Sequence, residues 1–185
     1  MSTLIHCNDV RPFMNAIENA RARLTPATIE AARRAVTRIA REALPGLADF
    51  CLVHVVTGRS IRCVAGAHSN AGGRRHMRAL METHRIRPDD PDSTVAYVVR
   101  SRRVTLRRKI RPDEPEPTRS GGVAELHRRL APTSALVVPI VCDGAVFGAL
   151  SLCYSHSGRS HSARQRAPAE GLAARIAAAL VPPHD

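Results

Sequence analysis

A chain of 185 residues has the length of one domain with short extensions, and an apolar content of 44% is sufficient for a hydrophobic core. No apolar run reaches the ~18–20 residues that cross a bilayer, and no apolar segment of the secretory type follows the amino terminus, so the sequence predicts a soluble, cytoplasmic protein without a membrane partner. A net charge of +12 is typical of proteins that bind nucleic acid. However, 27 of the 28 basic residues are arginine, and this excess, together with abundant alanine, indicates codon bias. Only five aromatic residues are available to stack on bases, so we do not expect a nucleic-acid partner.

Cysteines and histidines are the candidate metal ligands and nucleophiles. No two of the five cysteines have Cys-x-x-Cys spacing, and four of them fall in predicted strands, where cysteine is usually a small buried apolar residue. The nine histidines show neither i,i+4 pairing nor clustering with cysteine, so we expect no metal site. The cysteines are Cys7, Cys51, Cys63, Cys142 and Cys153.

The first third of the chain predicts a tail, a helix and a hairpin. Residues 1–24 show weak periodicity and predict a loosely held N-terminal tail. Thr25 and Pro26 then predict an N-cap and a first-turn proline for an amphipathic helix, which the Pro45-Gly46 pair ends. Two β-branched runs, 50–56 and 61–67, predict the strands of a hairpin that turns at residues 57–60.

The middle third predicts two helices and a loop. Residues 70–85 are expected to form a helix, and a turn at 88–92 leads into a short helix capped by Ser93 or Asp92. A short strand at 104–106 follows. Residues 107–122 are dense in arginine, proline and acidic residues, a composition that predicts a mobile surface loop, with a helical patch after it at 123–130.

Two apolar runs flank Asp143-Gly144 within residues 134–154, the strongest short-range indication of a two-residue β-hairpin. Because both runs are almost continuously apolar, we expect both strands to be buried on both faces in the middle of a sheet. Pro139 lacks an N–H group, so one side of its strand should be open or bulged, and Gly148 should let another group approach the backbone. A final helix is expected to begin near Ala167-Pro168 and to end the domain at residue 181, before a tail at 182–185.

Strands without regular βαβ alternation, bracketed by two long helices, predict an α+β fold with both terminal helices on one face of the sheet. This order and its punctuation resemble the GAF domain over residues 27–181, within a predicted domain at 25–181. The resemblance rests on five short stretches in the right order and spacing: 48–56, 64–68, 94–104, 136–140 and 144–150. It implies a central antiparallel sheet with the terminal helices on one face and a helix- and loop-covered ligand cavity on the other.

The resemblance also implies a function, that of a small-molecule-binding sensory or regulatory domain in bacterial signal transduction. The ligand, any cofactor and the output protein stay unknown at this point, and the cavity is expected between the sheet and the 70–106 segment. A helix start with exposed N–H groups would favour an anion there. The expected apolar and aromatic wall residues are Cys51, Val53, His68, Tyr97, Val138 and Phe147, and the expected polar contacts are Asp92, Ser93 and Thr94.

Other functions stay open as alternatives to the sensor. The chain would be a ligand-free dimerisation scaffold if its core were filled, and the alanine-rich last helix predicts a two-fold homodimer through the terminal helices. A GAF-fold reductase of free methionine sulfoxide needs a thiolate and a resolving thiol, but residues 64–141 contain no cysteine, so we expect no enzyme activity. Covalent bilin attachment lacks a Cys-His pair. The basic cluster at 100–111 would be a solvated face or a site for an anion or acidic partner.

Overall fold

A computed structural model describes residues 24–111 and 128–181. Residues 112–127, which contain most of the loop expected at 107–122 and of the helical patch expected at 123–130, lie outside the described residues. So do residues 1–23 of the tail expected at 1–24 and the expected tail at 182–185. The helices are α1 (Pro26–Arg41), α2 (Ala71–Thr83), α3 (Thr94–Ser101) and α4 (Arg166–Leu180). The strands are β1 (Phe50–Thr57), β2 (Ser60–His68), β3 (Arg85–Ile86), β4 (Thr105–Arg107), β5 (Ser134–Cys142) and β6 (Ala145–Tyr154).

The six strands form one antiparallel sheet in the order β3-β2-β1-β6-β5-β4. Helices α1 and α4 pack together on one face, where they bury the largest apolar cluster of the fold. The other face carries α2 and α3, each over its own smaller apolar cluster. The predicted α+β fold is therefore confirmed, with the two terminal helices on the same face. Among the described residues, no helix is both long and apolar enough to span a bilayer.

The β5–β6 hairpin has the two-residue turn that its sequence predicts. Asp143 and Gly144 both have positive φ, 49° and 72°, as a type I′ turn requires. Strand β4 pairs with β5 only as far as Val137, so the missing N–H of Pro139 falls where the ladder has already ended. Gly148 lies against β1, and an ideal Cβ built on it would be 1.9 Å from the His54 carbonyl oxygen. The expected roles of the proline and of the glycine are therefore both confirmed.

Several element ends differ from the prediction, because capping groups decide them. Thr25 caps α1 as predicted, but the helix ends at Arg41, before a run of turns that continues to residue 47. Asn70 caps α2 through its side-chain oxygen, which accepts from the Gly73 N–H at 2.8 Å. Sequence reasoning missed β3 and a 3₁₀ turn at Ala163–Gln165, since two or three residues are too few for a periodic pattern.

Candidate functional site

A cavity of about 70 Å³ lies between the sheet and the segments that carry α2 and α3. Its floor comes from the adjacent strands β1, β6 and β5, and its roof comes from the end of α2, the start of α3, the end of β4 and the flanking loops. The floor residues are Phe50, Leu52, His54, Ala135, Val137, Ser151 and Cys153, and the roof residues are Leu80, His84, Ser93, Thr94, Val95, Arg107, Ile110 and Pro132.

Strand pairing explains why these floor residues share one face. Leu52 is directly opposite Ser151, and Ser151 is directly opposite Val137 on the next strand. Residues paired across an antiparallel ladder point to the same side of the sheet, so the three side chains form one row across the floor. A parallel row contains Phe50 and Cys153. The floor is mainly apolar, with the Ser151 hydroxyl near its centre.

His54 and His84 place two imidazole rings at one end of the cavity. Their side chains are 1% and 6% exposed, and His54 Nε2 lies 3.4 Å from His84 Nδ1. The rings meet edge to face, with centroids 5.4 Å apart. The ring nitrogens of histidine donate or accept according to the tautomer, so this pair gives the cavity hydrogen-bonding capacity. Among the described residues, no group of three or more ligating side chains could hold a metal ion.

The start of α3 supplies the polar part of the roof. The Ser93 hydroxyl accepts from the Ala96 N–H at 3.2 Å, and Thr94 and Val95 occupy the first turn, where backbone N–H groups have no partner inside the helix. Arg100, one turn further on, donates from Nη1 to the carbonyl oxygens of residues 88 and 90, at 2.6 and 3.0 Å. The turn before α3 is thereby fixed to the helix.

Of the predicted site residues, Ser93 and Thr94 line this cavity. Four predicted wall residues do not: Cys51, Val53, Val138 and Phe147 lie on the opposite face, in the core under α1 and α4. The Cys51 thiol points at α1 and donates to the Ala40 carbonyl oxygen at 3.2 Å. The correction follows from strand register, because a one-residue error in facing exchanges the two sides of a sheet.

The remaining three predicted residues lie at the margin of the cavity or outside it. Asp92 is exposed in the turn before α3, where its N–H donates to Asp90 Oδ1 at 3.0 Å. Tyr97 is 43% exposed on the outer side of α3. His68 stacks on Phe50, with centroids 5.5 Å apart, and faces a separate groove beside β2. Burial, assisted by the nearby His156, lowers the pKa of His68 and favours its neutral form.

Sequence reasoning missed the floor residues, although two of them carried a usable signal. His54 and Ser151 are polar residues within strands that are otherwise almost fully apolar. A buried polar side chain needs a partner or free space, so on such a strand it marks the face with room for it. Applied to β1 and β6, this criterion selects Leu52 in place of Cys51 and adds Cys153. It does not exclude Phe147, which lies on the opposite face because the β5–β6 register shifts between Ile140 and Val141.

A second polar group lies at the far end of the sheet and stabilises the fold. Asp49 is 2% exposed, and its Oδ2 accepts from the N–H groups of Ser155 and Ser157 at 2.8 and 3.0 Å. Burial alone would raise the pKa of Asp49, but these hydrogen bonds and the nearby His156 outweigh it, so the pKa is lowered. Asp49 is therefore an ionised carboxylate that holds the loop after β6 in place.

His161 fixes the next part of the same loop. Its Nε2 lies 3.0 Å from the Leu47 carbonyl oxygen, to which it donates, and its Nδ1 lies 3.0 Å from the Ser134 hydroxyl. Burial lowers the pKa of His161 and favours this neutral tautomer. Ser134 is fully buried, so the serine–histidine contact is a structural tie and not an accessible nucleophile.

Comparisons with known proteins agree on one family. A family model described as the GAF domain matches residues 26–181. Among solved structures, the GAF-B domain of DevS from Mycobacterium smegmatis is 23% identical, with a TM-score of 0.54 over 80% of this chain and 92% of that chain. The type II free methionine-R-sulfoxide reductase from Thermoplasma acidophilum is 14% identical, with a TM-score of 0.57 over 83% of this chain and 94% of that chain.

A third structure, the GAF domain of a phosphoenolpyruvate-protein phosphotransferase from Coxiella burnetii, is 17% identical, with a TM-score of 0.58 over 94% of this chain and 95% of that chain. At these identities the structures show a shared fold. No curated protein sequence matches the chain.

Proposed function

Because the chain belongs to the GAF domain family, we propose that it is a sensory or regulatory domain of bacterial signal transduction that binds a small molecule in the cavity under α3. The observation that carries this proposal is the mixed lining of the cavity. Apolar side chains cover most of the floor. His54 and Ser151 from the floor and His84 and Ser93 from the roof add hydrogen-bonding groups to the cavity. Ligand sites typically combine an apolar wall with a few converging polar groups.

The size of the cavity limits the ligand. Pockets for drug-sized molecules measure roughly 300–1,000 Å³, and this cavity measures about 70 Å³. It therefore accepts a ligand of only a few non-hydrogen atoms as it stands. A larger ligand requires that α3 move away from the floor.

Native mass spectrometry of the protein purified from its own host tests this proposal. We expect an additional bound mass on the wild-type chain that is lost in Ala135→Leu, because the larger side chain fills the floor. Ala163→Leu is the matched control, since this alanine is exposed in the 3₁₀ turn and does not line the cavity. A wild-type chain without bound mass, or equal occupancy in Ala135→Leu and Ala163→Leu, would refute ligand binding in the cavity.

A dimerisation scaffold is the second candidate function, and the small volume of the cavity favours it. The predicted interface through α1 and α4 has less apolar surface than the sequence suggests. Ala173 and Ala177 are 2% exposed and pack within the chain, which leaves Gly171, Ala174 and Ala178 on the outer side of α4. A two-fold homodimer through this face stays a proposal, whose test is the mass of the protein in solution.

We further propose that the domain is not a reductase of free methionine sulfoxide. That chemistry needs an activated thiolate and a second thiol within reach. Burial raises the pKa values of Cys51 and Cys63 to about 12, which keeps both thiols protonated. Cys153 is the one thiol that lines the described part of the cavity.

A further inference from the structure

An open groove runs along the outer edge of β2, between α1 on one face of the sheet and α2 on the other. It consists of two adjoining hollows of about 460 and 320 Å³, which share Arg33, Arg78 and Met81. The groove exists because β3 pairs with β2 only at Ile61 and Arg62. Within the described sheet, the rest of β2 has no neighbouring strand on this side.

Four arginines line the larger hollow from its two sides. Arg33 and Arg41 lie eight residues apart on α1, and Arg74 and Arg78 lie four residues apart on α2. These spacings place each pair on one side of its helix, so the positive charges of both helices border the same space. None of the described residues that line this hollow is acidic.

Most of these guanidinium groups lack a counter-charge in the described part of the chain. Arg33 lies 3.6 Å from Glu30, in an exposed pair of the kind that contributes little. Arg41, Arg74 and Arg78 are exposed, and their guanidinium groups make no hydrogen bond or ion pair with another described residue. An anion between the two helices would relieve the repulsion among these positive charges.

The floor between the arginines is apolar and has backbone donors. Ala65, Ala67, Leu44 and Met77 contribute apolar surface to it. In an antiparallel strand with one neighbour, alternate residues direct their N–H and C=O groups away from that neighbour. The open edge of β2 therefore presents both N–H and C=O groups to this space, and the N–H groups are available to a ligand beside the guanidinium groups.

Because Glu30 and Glu82 line the smaller hollow, we propose that the larger hollow binds an organic polyphosphate, a small molecule whose phosphates contact the arginines while its organic part lies on the apolar floor. Guanidinium groups bind phosphate through paired, charge-assisted hydrogen bonds. The larger hollow also has the volume of an ordinary small-molecule pocket. This site is separate from the cavity under α3 and does not depend on the function proposed for that cavity.

An acidic peptide is the competing occupant, and the strand geometry disfavours it. A peptide that adds to the open edge of β2 needs a regular row of hydrogen-bonding groups. The β1–β2 register shifts between Val53 and His54, which leaves Val64 as an extra residue on β2. Such a bulge interrupts the edge and hinders strand addition.

Calorimetric titration of the full chain with ADP and with inorganic pyrophosphate tests the proposal. We expect saturable binding of both probes at one site, tighter for ADP because adenosine adds contact with the floor, and no binding of adenosine alone. The double variant Arg74→Gln/Arg78→Gln should weaken both probes about tenfold or more, since it removes the two guanidinium groups of α2.

The matched control is the double variant Arg59→Gln/Arg164→Gln, which removes the same charge from exposed residues that line neither the groove nor the cavity. We expect it to bind ADP within about twofold of wild type, and circular dichroism verifies that both variants are folded. If both double variants bound ADP equally weakly, overall charge alone would explain the loss, and the proposed site would be overturned. Absence of saturable binding, or tighter binding of citrate or hexaglutamate than of pyrophosphate, would also overturn it.

Discussion

Replacing Gly148 by alanine tests the packing of the two central strands. An ideal Cβ at this position lies 1.9 Å from the His54 carbonyl oxygen and 2.9 Å from Val55 Cα. Both atoms belong to the backbone of β1, which is held between β2 and β6, so no side chain can rotate away to make room. To reach ordinary contact, β1 and β6 would have to separate locally by about 1.5 Å and lose ladder hydrogen bonds.

Overpacking in a well-packed core typically costs about 1–3 kcal/mol, and a clash with backbone lies at or above the top of that range. We therefore expect Gly148→Ala to reduce the free energy of unfolding by about 3 kcal/mol or more. Urea denaturation followed by circular dichroism measures this, since the chain has no tryptophan.

Gly171→Ala is the matched control for that experiment. Gly171 lies on α4 with no atom within 4 Å of its ideal Cβ, so the same change should stabilise the protein by about 0.5–1 kcal/mol through helix propensity. A Gly148→Ala variant within about 1 kcal/mol of wild type would refute the reasoning on close strand approach.

Four further results are expected. Gly144→Val should reduce the free energy of unfolding by about 1–3 kcal/mol, because its φ of 72° strains a β-branched residue, and an unchanged melting temperature would contradict the turn geometry. The pKa of Asp49 is lower in the folded chain than the ~3.9 of the unfolded chain, so its contribution to stability is present above that value and is lost as the pH falls through the folded pKa. Asp49→Asn should therefore lower stability at pH 7 and flatten its decrease in acid, as measured by urea denaturation at several pH values; an unchanged acid limb would count against the ionised carboxylate. Thiol-dependent turnover of free methionine sulfoxide should be absent, and turnover that disappears on Cys153→Ser would reverse this expectation. Sedimentation equilibrium should show a dimer, and a single 20.1 kDa species would exclude it at the concentration used.

The fold could be predicted from the sequence more completely than the cavity lining. The reason is that turns and caps depend on nearby residues, whereas the lining depends on residues far apart in the sequence. Turns and caps depend on a few neighbouring residues, so Asp143-Gly144, Thr25 and Ser93 indicated their own structures. The cavity wall depends on which face of a strand each side chain occupies. Strands β1 and β6 are buried on both faces, so their sequences lack the polar–apolar alternation that would reveal facing.

The groove beside β2 lay beyond sequence reasoning for another reason. Arg33 and Arg41 on α1 are separated from Arg74 and Arg78 on α2 by a complete hairpin, and only the packing of the two helices on opposite faces of the sheet brings them to one edge. The abundance of arginine hid this group further, because a basic residue in this chain is uninformative until its neighbours in space are known.

The hydrogen bonds of Arg100 have a mechanical consequence for the roof of the cavity. Because its guanidinium group donates to the carbonyl oxygens of Pro88 and Asp90, the turn and α3 are expected to move as one rigid unit. A displacement of the helix start at Ser93 would therefore move α3 together with the turn before it, and α3 is followed by Arg102 in a left-handed conformation with φ of 59°. The chain passes from that residue almost directly into β4 at the edge of the sheet, so the roof and the sheet edge are joined through one short pivot.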